Sequence, residues 1–250
     1  MIEDKKQIAE LAPIGDLLEK TWGLYKQAVK QLIQLGLIPI IGLFPFGVIL
    51  VMLFIVYLKD KENFFTPFNI IIFGLLGIAA IIFMFYLSLA SKIGSMLLVR
   101  NFSKEKGIFS LVRESHGYML KYIETSVICA LVVLAGVILF VIPGIIFAVY
   151  YGFSSWVVVF EGKSGMEALK RSKKMVSGRW MEVAVRVFAI GVFYFILSAL
   201  VSALSNIYKG SELAGIIESV FSFSANIALA PFMFIFYYFL YKDLSEKTTE

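Results

Sequence analysis

His116 is the only histidine and Cys129 the only cysteine in the 250 residues, so the side chains able to do chemistry are quickly sorted. Zinc sites built from several His or Cys ligands are excluded, as are a histidine pair and an intrachain disulfide. A lone His–Ser relay would need a nucleophile and an orienting third group beside the ring; His116 reads instead as a solvated loop residue. No Walker loop, His-Glu-x-x-His, Gly-x-Ser-x-Gly or dinucleotide fingerprint occurs. Catalysis is disfavoured, and no catalytic, cofactor-binding or metal-binding set is assigned.

What remains is charge and polarity set against apolar sequence. An ionised side chain at the centre of a membrane span costs about 2.5–3.5 kcal/mol on insertion scales. Glu182 and Arg186 lie four apart, the spacing of an ion pair on one helix face. They read as a pair anchored at the membrane edge, or as a headgroup or substrate contact at the cytoplasmic mouth. Ser198, Ser202 and Ser205 follow i, i+4, i+7 spacing, and Ser219, Ser222 and Asn226 follow i, i+3, i+7. Such intramembrane stripes either glue helices through hydrogen bonds or line a polar path. Pro231, five residues past Asn226, predicts a kink. The densest cationic cluster is Lys170, Arg171, Lys173, Lys174 and Arg179. Near an anionic leaflet each cation is worth about 1 kcal/mol, and all five are expected to contact anionic lipid.

The elements that must position these residues are membrane spans. Hydrophobic residues make up 60% of the chain and charged ones 16%, against roughly 45–50% and 25% in soluble domains. One core cannot hide that much apolar surface in a chain of this size. A span needs about 20 mostly apolar residues, and Leu35–Leu58, Phe68–Leu89, Val183–Ser205 and Ala214–Tyr241 each qualify. The run from Val127 to Phe160 is too long for one crossing. Pro143-Gly144 inside it is a turn signal, which divides it into Tyr122–Val141 and Ile145–Phe160 around a hairpin break. The second helix is short enough to leave full crossing open. Gly144, Ala148 and Gly152 form a small-residue ridge suited to close packing. Pro39 and Pro45, with Gly36, Gly42 and Gly47, predict an irregular first span.

Charge supports six spans. Lys and Arg concentrate before span one, between spans two and three, and between spans four and five, the bias of cytoplasmic loops. Both termini are then cytoplasmic. The mixed-charge start, Met1 to Lys6, is unlike a removable signal peptide. The net charge of +5 flanks apolar runs, which points to phospholipid headgroups and away from nucleic acid.

Each basic stretch also has helical periodicity. Leu18, Trp22, Tyr25, Val29 and Leu32 share one face in the first, and Met166, Leu169 and Val176 in the last, where Ser164 and Glu167 have capping-box spacing. These segments predict amphipathic interfacial helices. Leu111-Val112-Arg113 also matches Leu169-Lys170-Arg171, and Lys121-Tyr122-Ile123-Glu124 matches Arg179-Trp180-Met181-Glu182. The expectation is an all-α polytopic protein, a single membrane domain with three helix-plus-hairpin repeats at 14–100, 107–160 and 164–241.

The run Ile142-Pro143-Gly144-Ile145, Phe160-Glu161-Gly162, Glu167-Ala168-Leu169-Lys170-Arg171-Ser172 and Ser177-Gly178-Arg179-Trp180 resembles the membrane domain of some bacterial glycerophosphodiester phosphodiesterases and its stand-alone relatives. The resemblance implies a prokaryotic cytoplasmic-membrane protein of six helices. It does not imply phosphodiesterase activity, since that chemistry belongs to a separate barrel whose residues are not matched here. The expected function is a non-enzymatic module binding membrane lipids, a protein partner or a second copy through its basic helices. The alternative is a transporter for a small amphipathic solute. A weaker third expectation is a lipid-modifying enzyme using Glu182, Arg186 or His116.

Overall fold

The structure, a computed structural model, describes residues 11–61, 64–102, 107–205 and 212–249; the side chains of 201–202, 204–205, 212–218 and 249 lie outside that description. Among the described residues every regular element is a helix: α1 Ile14–Ile41, α2 Phe44–Lys59, α3 Pro67–Arg100, α4 Ile108–Leu139, α5 Val141–Tyr151, α6 Ser154–Glu161, α7 Gly165–Val176, α8 Trp180–Ser205 and α9 Glu212–Thr249. Among the described residues six helical stretches are long and apolar enough to cross a membrane: α1 with α2, α3, α4, α5 with α6, α8, and α9 from Ser219. The chain is an all-α polytopic membrane protein.

Helix length locates the core. At 1.5 Å per residue α3 is about 51 Å long and α4 about 48 Å, whereas the hydrocarbon layer is about 30 Å. Each therefore projects beyond the layer, and the buried residues identify the projecting end. Ala90 and nearly every residue from Ile93 to Val99 are buried on α3, Leu111, Met119 and Tyr122 on α4, and Ile235, Phe236, Leu240 and Leu244 on α9. Leu17, Leu32 and Leu35 of α1, Trp156 to Val159 of α6, and Ala168, Leu169, Met175 and Val176 of α7 complete this core. It lies at the basic end. The opposite end is open: α2 has no buried residue, and Phe65, Phe68, Ile138 and Phe195 are each at least 70% exposed. Lipid tails are the only solvent in which such a surface is stable.

Three local readings change. α1 runs unbroken from its basic stretch into the first span, and its buried face is Leu17, Thr21, Ala28, Leu32 and Leu35. Trp22 is half exposed and stacks on Tyr25 at 5.6 Å. The small residues Thr21 and Ala28 let neighbouring helices approach, so packing selects their face over the aromatic one. The irregularity of span one falls at Gly42, where an added Cβ would lie 2.9 Å from the Pro39 carbonyl oxygen and 3.0 Å from Met84 Cα.

The second change is the hairpin break. The turn falls at Phe140, which is extended at φ −163°, ψ 152°, three residues before Pro143. Proline is tolerated in the first helical turn because its missing N–H would have had no partner there. Pro143 and Gly144 therefore open α5. Gly144 is buried against the preceding helix, where a Cβ would collide with Val137. A further break at Gly152 separates α5 from α6.

Third, Ser164 precedes α7 but makes no side-chain cap hydrogen bond. Gly165 N–H donates instead to Thr125 Oγ1 of α4 at 2.7 Å, a tertiary cap in place of the expected local box. α9 continues through Pro231 to Thr249 as one helix. The Tyr25 hydroxyl donates to the Ala228 carbonyl at 2.9 Å, in the turn that the proline disturbs. The segments 14–100 and 107–160 each hold three helices, as does 164–241 with α9 running past its end; their helix breaks fall at different points.

Candidate basic site at the membrane edge

Among the described residues α7 is the one separate amphipathic helix between two spans. Ala168, Leu169, Ser172, Met175 and Val176 face the protein, and Ser172 Oγ donates to the Tyr150 carbonyl of α5 at 2.7 Å. Met166, placed on the apolar face by sequence, is 52% exposed. Burying one face of a short helix forces the opposite face outward. Lys170, Lys173 and Lys174 are exposed there, with Lys173 Nζ 5.9 Å from the Tyr150 ring centre.

The two arginines of the cluster behave differently. Arg171 Nε donates to both oxygens of Glu161 at 3.0 Å, with side-chain exposures of 14% and 19%. Lys163 pairs with the same carboxylate at 2.9 Å, and the Tyr241 hydroxyl donates to it at 3.3 Å. Glu161 thus ties α6, α7 and α9 together, beside stacked Trp156 and Tyr241. Arg179, between α7 and α8, is only 7% exposed, and its Nε and Nη1 have no hydrogen-bond partner among the described residues.

Two cations on α3 and α4 act as helix caps. The last carbonyls of a helix lack intrahelical donors. Arg100 Nη1 donates to Val159 O at 2.6 Å and Lys121 Nζ to Gly162 O at 3.2 Å, both at the end of α6. Sequence reasoning assigned these two to topology alone. Their cation type and position beside an apolar run were the visible signal, but their acceptors lie 59 and 41 residues away.

Glu182 and Arg186 do form an i, i+4 pair, at 3.7 Å. Arg186 also donates to the Leu11 carbonyl at 3.3 Å and the Ala12 carbonyl at 2.9 Å, while Ala12 N–H donates to Asp243 at 2.8 Å. The arginine therefore clamps the segment that leads into α1.

The polar stripes meet at Asn226. Its Oδ1 accepts from Tyr194 at 2.8 Å and from Ser198 at 3.4 Å, and its Nδ2 donates to the Ser222 carbonyl at 2.8 Å. Tyr194, one turn before Ser198, was missing from the sequence stripe. Ser219 is exposed; the side chains of Ser202 and Ser205 lie outside the described residues. A crevice of about 210 Å³ adjoins this contact, lined by Leu32, Gly36, Ser95, Ile227 and Pro231 among others.

His116 stands on helix α4, correcting the loop expectation. Its Nδ1 reaches the carbonyls of Val112 and Arg113 at 3.1 and 2.9 Å, and Tyr86 OH hydrogen-bonds to Nε2. The ring is thus engaged with a tyrosine, and the neighbouring Ser115 hydroxyl donates to Val112 O at 2.6 Å. No known family model matches the chain, and no curated protein or solved structure is detectably similar to it.

Proposed function

We propose that this multi-pass protein is a non-enzymatic membrane module that binds anionic phospholipid through the outer face of α7. One observation carries the reading. The apolar face of α7 is spent on the protein core, so Lys170, Lys173 and Lys174 face outward at the basic end. At about 1 kcal/mol per cation beside an anionic leaflet, these three supply about 3 kcal/mol before salt screening. Arg171 is committed to Glu161 and adds little to that surface. The basic end is taken as cytoplasmic, with both termini on that side, because Lys and Arg bias cytoplasmic loops. A prokaryotic cytoplasmic membrane and kinship with phosphodiesterase membrane domains belong to the same proposal, as does a protein partner or second copy on this face.

The transporter alternative rests on the polar stripes of spans five and six and on the irregular first span. Asn226 and Ser198 direct their hydrogen bonds to one another and to Tyr194, which favours adhesion between α8 and α9 over a polar path.

The test uses the full chain in nanodiscs of phosphatidylcholine with one fifth phosphatidylglycerol. Mass spectrometry of retained lipid should find phosphatidylglycerol enriched around the wild type. The triple variant Lys170→Gln, Lys173→Gln, Lys174→Gln should lose most of that enrichment. Equal enrichment in both proteins removes the reading.

A further inference from the structure

Three buried side-chain atoms lack a hydrogen-bond partner among the described residues: Gln31 Oε1, and Nε and Nη1 of Arg179. The arginine is the weightier case. Guanidinium stays protonated in proteins, and a buried charge without a counter-charge is strongly destabilising. Acids on the adjoining elements are engaged with other cations: Glu161 holds Arg171 and Lys163, and Glu182, three residues on, pairs with Arg186. The backbone at Arg179 is nevertheless fixed by hydrogen bonds. Gly178, at φ 85°, turns the chain straight from α7 into α8. Arg179 N–H then donates to Val176 O at 3.1 Å, and its carbonyl accepts from Val183 N–H at 3.1 Å.

The helix turn that precedes it shares its sign. Lys173 and Lys174 occupy the last turn of α7, and α8 begins at Trp180. The first N–H groups of a helix lack intrahelical acceptors and carry partial positive charge. A water molecule could occupy idle donors but would leave this charge standing. An anion meets both needs. Trp180, whose Nε1 donates to Ile146 O at 3.3 Å, is the residue type that sits at headgroup level, the depth of lipid phosphates.

We propose that the α7–α8 junction is a binding site for a phosphate group, whose oxygens accept charge-assisted hydrogen bonds from the guanidinium of Arg179. This deepens the lipid-binding reading and rests on it for the ligand class, but it makes a different residue the anchor. The phosphate belongs to a lipid headgroup or to a soluble phosphate.

The full chain in dodecyl maltoside is titrated separately with dihexanoyl-phosphatidylglycerol and with inorganic phosphate, against sodium chloride of equal ionic strength, and its thermal midpoint is read. A ligand that binds only the folded state raises that midpoint. The wild type should respond saturably to the lipid alone, which identifies a headgroup site, or to both probes, which identifies a general phosphate site. Arg179→Met should match or exceed the wild-type midpoint without probe and bind at least tenfold more weakly. Arg179→Lys keeps the charge without the planar guanidinium and should also bind tenfold more weakly; it carries the test if the methionine variant does not fold. The triple lysine variant should keep a saturable response, so loss of surface enrichment and loss of this site are separate results. The proposal is overturned if neither probe exceeds the chloride control or Arg179→Lys responds as wild type. It is equally overturned if Arg179→Met folds but melts well below wild type without probe.

Discussion

Replacing Glu161 by Gln tests the idea that a single carboxylate fastens α7 to the bundle. The change keeps shape and one acceptor oxygen but removes the charge that faces Arg171 at 3.0 Å and Lys163 at 2.9 Å. A charge-assisted hydrogen bond contributes about 1.5–3 kcal/mol, and the low exposure of Glu161 and Arg171 keeps that contact within this range. The Lys163 side chain is 42% exposed, so its pairing adds only about 0–1 kcal/mol. Glutamine retains part of the Arg171 contact, which sets the expected cost at about 2 kcal/mol, or roughly thirtyfold in the folded-to-unfolded ratio. Arg171→Gln should cost a similar amount. The double variant should cost little more than either, with a coupling of about 1–2 kcal/mol. Unfolding the full chain from mixed micelles with dodecyl sulfate, followed by fluorescence of Trp156 with Trp22 and Trp180 replaced by Phe throughout, measures all three, since that indole stacks on Tyr241 at 6.0 Å. A Glu161→Gln cost below about 0.5 kcal/mol, the range of a surface pair, or additive single effects, would refute the reasoning.

Three further outcomes follow from the same geometry. Gly144→Ala places a Cβ against Val137 and should destabilise the α4–α5 hairpin by about 1–3 kcal/mol in that unfolding assay. Asn226→Leu should weaken the α8–α9 contact by about 0.6–2 kcal/mol, and Tyr194→Phe should cost much less in that background than in the wild type. Arg186→Gln removes the clamp on the Leu11 and Ala12 carbonyls; hydrogen-exchange mass spectrometry should show faster exchange at Ala12 while α8 beyond Ile190 is unchanged.

The spans were legible because transfer into hydrocarbon sums over about 20 neighbouring residues, a property of sequence alone. The hairpin was legible to within three residues. Pro143-Gly144 marks a turn, but proline fits the first helical turn, so the extended residue had to precede it, at Phe140. The buried face of α1 was not legible. Between Leu17 and Ala28 apolar residues fall on more than one face, Leu17 and Ala28 on one side and Leu18, Trp22 and Tyr25 on another, so periodicity there discriminates weakly, and contacts with α3 and α9 chose Leu17, Thr21 and Ala28. The α7 cap failed for a related reason: Ser164 and Glu167 satisfy a local rule, yet Thr125, 40 residues earlier, supplies the oxygen.

Composition and pattern on their own determined that this chain dissolves in a bilayer, crosses it as helices and gathers its cations at one end. Hydrophobic transfer and charge bias are read residue by residue, so no fold is needed to compute them. The division of labour within the cationic cluster was decided only by tertiary structure. Five cations look alike in sequence, but Glu161 of α6 meets Arg171, the core encloses Arg179, and three lysines remain outside. Pairing and burial depend on which helices pack together, and that packing brings side chains from distant parts of the chain into contact.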